Sequence, residues 1–351
     1  MSRLTLLSIF VTVVAALAIA CRGDSNDATS AGAEISGGDR VTISLALHDS
    51  IGQHAALYAI EKSIVTSDTI DVVPNYLPVA DLDEAVQSRQ FDVIEASVLT
   101  VPVGKTEGLD LVVLSAGLQD VEGTFLYASA DGPINSVRSL QDGTLGAVAL
   151  GDPSVLETRF LLHQSYDLQA GVLESDRKTG APTINVAPVE SQAALLQSGE
   201  IDAVIATQQG AYQLSLATNV RLLTGVTAGI RELHDAPIAN SLLVTYPDVA
   251  ARKADALAEL NRLLAESVAY FKANRNTVIA AIATQGAVDP AYIDWWWQHY
   301  DLPLGDLSPA TQEQILFVWE AARALGDIES YPELAAVLFD QATAGTATPP
   351  A

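Results

Sequence analysis

The sequence predicts an α/β protein built from two similar lobes, and three observations carry that prediction. Short β-branched segments alternate with helix-like ones from Val41 to Gly225, the phrase QSRQFDVIEAS (Gln87 to Ser97) nearly repeats as QSGEIDAVIAT (Gln197 to Thr207), and after Tyr246 the chain turns to helix alone. Identities fall in register at Gln87/Gln197, Ser88/Ser198, Asp92/Asp202 and Ala96/Ala206, and apolar positions match at Phe91/Ile201 and Ile94/Val204. In each copy a short helix ends in a polar turn and feeds a buried strand that finishes on a hydroxyl, Ser97 or Thr207. That is half of a βαβ unit. Two of them predict two lobes, each offering the carboxyl end of a strand to one crevice, where open α/β sheets bind ligands.

The chain begins with MSRLTLLSIFVTVVAALAIA, in which Arg3 precedes an apolar run from Leu4 to Ala20. Residues 1–20 are therefore expected to be an export signal, with a retained anchor helix as the competing reading. Cys21, the single cysteine, follows Leu17-Ala18-Ile19-Ala20. This resembles the lipobox of bacterial lipoproteins and implies lipidation at Cys21. One acyl chain binds membranes only marginally, so stable anchoring needs the several chains that lipoproteins carry. With Cys21 consumed, the fold has no disulfide to rely on. Residues 21–40, rich in Gly, Ser, Asp and Ala, are expected to form a lipidated flexible linker, and residues 342–351 a disordered tail.

Strands are expected at Val41–Leu47, Phe91–Leu99, Leu109–Leu118, Thr144–Leu150, Thr183–Val189, Ile201–Thr207 and Val220–Gly225, each short and bounded by turn residues. Helices are expected at His54–Lys62, Val79–Arg89, Ser154–Tyr166 and Ser191–Ser198. Beyond Ser241–Tyr246, Leu257, Leu260, Leu264, Val268 and Phe271 share one helical face. Asp289-Pro290 and Ser308-Pro309 each place a capping side chain before a proline at a helix start, and Gly326 suits a helix end.

A chain of 351 residues is longer than one core usually grows, and 49% apolar content can fill two. A net charge of −25, with only 18 Lys plus Arg and no basic cluster, argues against nucleic acid as a partner. His48, His54, His163, His234 and His299 form no paired ligand motif, so no metal is expected. No GxSxG, Walker or dinucleotide-binding glycine pattern is present, and no cofactor is expected.

The opening VTISLALHDSIGQHAALYAIEKS, the doubled phrases, SLQDGTLGAVALGDPSVLETRFLLHQSYDL and ANSLLVTYPDVAARKADALAELNRLLAESVAYFKANR stand in a recognisable order. Together they resemble the substrate-binding proteins of ABC importers for nitrate, sulfonates, taurine and thiamine-precursor pyrimidines. The resemblance implies the periplasmic-binding-protein type II fold, two mixed sheets flanked by helices and joined by a two-strand hinge. It further implies a discontinuous lobe I from residues 41–126 and 238–341, and lobe II from 127–237. It also implies a monomer, held by its lipid at the outer face of the cytoplasmic membrane, that closes over a small molecule and delivers it to an ABC permease with its ATPase. The turn Gly151-Asp152-Pro153-Ser154 departs from the small Gly-Ser-Thr type usual in sulfonate binders. An enzyme on the same fold, of menaquinone or pyrimidine biosynthesis, is the alternative of another class, against which the export signal argues.

Candidate ligand-binding residues are Asp49, Ser50 and His54 in the loop that opens the first helix, Ser97, Thr207 and Gln208 at the two repeated strand ends, Asp152 and Ser154 at a later helix start, and Asn240 on the returning strand. Asp49, Ser50, Asp152 and Ser154 also suit simple capping. Tyr58, Tyr127 or Tyr212 could stack on a ring, whereas the patch of Trp295-Trp296-Trp297 with Tyr292 and Tyr300, of which at most one or two could face a ligand, is expected to pack between terminal helices. No Lys or Arg falls in these loops, while Asp49, Glu95 and Asp152 would repel an anion if they face inward. A neutral or weakly basic aromatic heterocycle, such as a pyrimidine or a flavin-like vitamin, is therefore expected over a sulfonate, nitrate or taurine-type anion. No catalytic residue is expected.

Overall fold

The computed structural model describes residues 40–172 and 180–340. The expected export signal, Cys21 with its linker, and the tail lie outside the described residues. The chain opens with β1 (Val41–His48), α1 (Ile51–Glu61), β2 (Ile70–Leu77), α2 (Val79–Ser88), β3 (Val93–Ser97), α3 (Thr100–Glu107) and β4 (Val112–Ala116). A two-residue strand, β5 (Gln119–Asp120), crosses to β6 (Phe125–Ser129), β7 (Thr144–Ala147), α4 (Pro153–Tyr166), β8 (Thr183–Val186), α5 (Val189–Ser198), β9 (Ala203–Ala206), α6 (Gln208–Leu216), β10 (Val220–Gly225) and α7 (Val226–His234). The chain returns through β11 (Ile238–Ala239) and β12 (Ser241–Thr245). It ends in α8 (Pro247–Arg252), α9 (Ala254–Ala273), α10 (Arg275–Gly286), α11 (Pro290–His299), β13 (Tyr300–Asp301), α12 (Pro309–Leu325) and α13 (Leu334–Val337).

Two five-stranded sheets result, ordered β2-β1-β3-β12-β4 and β8-β7-β9-β6-β10, and each strand of one has a counterpart in the other. In both, a central strand (β1 or β7) pairs parallel with its neighbours, and a strand that has crossed from the other lobe (β12 or β6) pairs antiparallel. The repeated phrase occupies the same station twice. Residues Arg89 and Gly199 each close a helix in the left-handed region, at φ 56° and 74°. Asp92 accepts the Ser44 N–H at 2.9 Å, and Asp202 accepts the Thr144 N–H at 2.7 Å, so each aspartate pins β3 or β9 to the strand beside it.

β1 is buried on both faces at Ile43, Leu45, Ala46 and Leu47, as expected of a strand covered by helices on either side. β2 escapes the sequence reading because Pro74 interrupts it; it forms the sheet edge, where a missing N–H is tolerated. The predicted caps form: Asp289 and Ser308 accept backbone N–H groups of their helices, and Gly326 ends α12 at φ 81°. α9 buries Leu257, Leu260, Leu264, Val268 and Phe271.

β5, β11 and β13 form a small third sheet between the two large ones. β6 pairs along its length within the second sheet. We therefore propose that the lobes divide at β5 and β11, slightly earlier at the first crossing than the expected junction of residues 126 and 127.

Candidate functional site

Strands β1, β7 and β9 end at a cleft between the two sheets. Its larger compartment has a volume of about 850 Å³ and takes lining from both sides: the loop His48–Ser50 and α1 from one lobe, Asp152, Val189, Thr207 and Gln208 from the other. Val79 and Val189, which begin α2 and α5, both line it as further counterparts of the repeat. A second compartment of about 750 Å³ meets the first at Asp152.

Asp49, Ser50, His54, Asp152, Thr207 and Gln208 are thus brought together on one compartment. Ser50 caps α1 by accepting the Gln53 N–H, and Asp152 caps α4 by accepting the Ser154 N–H at 2.8 Å. Capping and cavity lining coincide at both residues. His54 Nε2 lies 2.9 Å from Asp49 Oδ1, and its ring sits 4.0 Å from that of Tyr76. Burial and the adjacent Glu61 carboxylate, which accepts the Tyr76 hydroxyl proton at 2.5 Å, push the Tyr76 phenol far above its ordinary range.

Gln208 carries an unusual backbone, φ 45°, in the left-handed region. Its N–H donates to Tyr300 Oη at 2.7 Å, and its Oε1 accepts from Trp296 Nε1 at 3.3 Å. The start of α6 is thereby held by α11 and β13. Burial raises the Tyr300 phenol strongly, with the buried Asp120 carboxyl adding to it.

Ser97 lines the second compartment instead. Ser154 is 3% exposed within the first turn of α4 and lines neither compartment. Asn240 also lines neither; it lies between β11 and β12, with its N–H on Leu118 O and its carbonyl accepting from Val98. Glu95 does not face the cleft. It is 4% exposed and accepts from the His48 N–H, Gln53 Nε2 and Ser241 Oγ.

Sequence reasoning missed the wall formed by α10 and α11. Asp289 and Tyr292 line the large compartment, where Asp289 accepts from Tyr212 Oη at 2.9 Å and the two tyrosine rings lie 5.2 Å apart. Tyr58 lines it as well, whereas Tyr127 is buried in the second sheet. Of the three consecutive tryptophans, Trp296 and Trp297 are buried, and Trp295 packs partly against the second lobe, its ring 4.2 Å from that of His299. Among the described residues that line the large compartment there is no Lys or Arg, while Asp49, Glu61, Asp152 and Asp289 bring four carboxylates. Among the described residues no group of three or more His, Cys, Asp or Glu is placed to hold a metal ion.

Two mixed sheets of this order, joined by crossing strands with a cleft at the strand ends, define the periplasmic-binding-protein type II fold. Solved structures share it. The alkanesulfonate-binding protein SsuA from Xanthomonas axonopodis pv. citri, bound to MOPS, superposes with a TM-score of 0.66 at 13% identity, over 86% of this chain and 99% of that one. The periplasmic aliphatic sulphonate binding protein SsuA from Escherichia coli gives 0.65 at 13%, over 86% and 98%. The ligand-binding component of an ABC-type import system from Staphylococcus aureus, with zinc bound, gives 0.64 at 12%, over 88% and 98%. No protein-family model matches the chain, and no curated protein matches it in sequence.

Proposed function

We propose that this protein is an extracytoplasmic solute receptor of an ABC importer, which closes two lobes over a small molecule and hands it to a permease and its ATPase. The observation that carries this reading is the cleft of about 850 Å³, lined from both lobes at the carboxyl ends of β1, β7 and β9. A ligand that touches both walls favours closure by the contacts it gains there. No bond is made or broken. Lipidation at Cys21, which would hold the monomer to the membrane, is supported by the sequence around that residue.

Two ligand classes have support. The SsuA proteins from Xanthomonas axonopodis pv. citri and Escherichia coli are sulfonate-binding proteins, which favours a sulfonate-type anion here. The start of α6 suits that reading, because it lines the cavity and the Thr207 side chain does not cap it, although the Gln208 N–H is taken by Tyr300 Oη, and helix N-termini attract negative charge. The four carboxylates and the missing Lys and Arg favour instead a neutral or weakly basic aromatic heterocycle, for which Tyr58, Tyr212 and Tyr292 offer ring contacts. Native mass spectrometry of freshly purified protein, followed by titration of the stripped protein with an alkanesulfonate and with a pyrimidine, separates the two. A stoichiometric small-molecule adduct is expected. Protein that never carries one, and binds neither probe, contradicts the receptor reading.

A further inference from the structure

A second polar cluster lies where the chain crosses between lobes, away from the cleft lining. Asp120 on β5 is wholly buried, and Glu157 on α4 is 3% exposed. Asp120 accepts from the Gly123 N–H and from Thr124 Oγ1, the latter at 2.7 Å. Glu157 accepts from Thr227 Oγ1 at 3.0 Å and from Asn240 Nδ2 at 3.5 Å. The Thr124 N–H donates to Thr227 Oγ1 at 3.2 Å and joins the two halves into one network. Both crossings, at Asp120 and Asn240, therefore meet α4 and α7 of the second lobe there.

The cations of those helices are engaged elsewhere. Arg231 of α7 turns to Val121 O and Glu122, and Arg159 of α4 to Ala170, Leu325 and Asp327. The remaining groups include no Lys or Arg. Asp152 stands at the start of α4, Tyr300 of β13 donates to Gly123 O, His234 of α7 stacks on Phe317, and His299 of α11 bonds to Trp295 O. Two carboxyls buried together without a cation oppose each other's ionisation, and burial opposes both. Burial pushes Asp120 up to about 6 against its hydrogen bonds, and burial with the Asp120 charge pushes Glu157 well up.

We infer that Asp120 and Glu157 share one proton in this arrangement of the lobes and release it when the crossings flex, so that proton binding favours the arrangement seen here. Asp120 and Asn240 lie on the segments that must bend, whereas Glu157 travels with α4. Bending separates them and admits water, which solvates both carboxylates. The inference rests on the receptor reading only in requiring that the lobes move.

The test uses the purified, ligand-free protein. A carboxyl whose folded pKa is raised gives stability that is fully present below the unfolded pKa of about 4 and lost as pH rises through the folded value. Urea unfolding of the wild type should therefore lose stability between about pH 4 and 7, and Glu157→Gln or Asp120→Asn should at least halve that slope. Small-angle scattering should find the wild type more compact at about pH 5 than at about pH 7.5, and Glu157→Gln equally compact at both. Parallel slopes in wild type and variants overturn the inference. So does a wild-type shape indifferent to pH, which decides the matter even if neither variant folds. Neither outcome touches the receptor reading, which is judged by ligand-dependent closure.

Discussion

Glu95 shows how one buried carboxylate organises the neighbourhood of the cleft. Its three donors tie β3 to β1, α1 and β12. Glu95→Ala strands those donors, each at a cost of about 1–3 kcal/mol, so a loss of about 3 kcal/mol or more in urea unfolding is expected. A loss below about 1 kcal/mol would mean that water replaces the carboxylate. Asp92 makes the opposite pH argument to Asp120. Burial raises its pKa, but Lys253 and Ser44 outweigh burial and hold it below the ordinary range. Its contribution is present above the unfolded pKa and lost as pH falls through the folded one, so Asp92→Asn should cost about 1–2 kcal/mol at neutral pH, with the gap to wild type closing below about pH 4. A gap unchanged down to about pH 3 contradicts the assignment. In the cleft, Thr207→Ala should weaken binding of the identified ligand by about fivefold, the worth of one hydrogen bond, while unfolding stays near wild type. Unchanged affinity removes Thr207 from the site.

Gly52 in α1 marks a close approach between elements, since a Cβ there would lie 2.1 Å from the Trp296 ring. Gly52→Ala should destabilise the protein by about 1–3 kcal/mol and loosen α11 from the start of α1; an unchanged melting temperature would show that the ring simply moves aside. Elements with a local signal were legible in the sequence. Asp289-Pro290, Ser308-Pro309 and Gly326 act as caps, and both copies of the repeated phrase end at the cleft. β2 was hidden by Pro74, and the two-residue β5, β11 and β13 are too short to carry a period. The candidate site was legible to the same extent. Loops that follow strands could be named from the pattern, but Asp289 and Tyr292, legible only as a helix cap and as part of an aromatic patch, reach the cavity from a helix distant in sequence. Ser154 and Asn240 stand where the pattern points, yet local bonding engages them: Ser154 donates its N–H to the Asp152 cap, and Asn240 donates to Glu157.

The molecule is one sheet plan used twice, with contacts bridging the two copies on either flank. Tyr212 of α6 meets Asp289 and Tyr292 on one side, while Arg159 of α4 pairs with Asp327 beyond α12 on the other. Lobes that rock apart must break such contacts, so the contacts favour the arrangement seen here. Tyr212→Phe should therefore shift the ligand-free protein toward a wider arrangement and lower affinity by about two- to fivefold; affinity equal to wild type would show that this contact does not bias closure. The most direct test of a two-lobed clasp is small-angle scattering of the stripped protein with and without its identified ligand. A smaller radius of gyration on ligand addition is the predicted result. An identical scattering curve at saturating ligand, or steady conversion of that ligand to a product, contradicts the account.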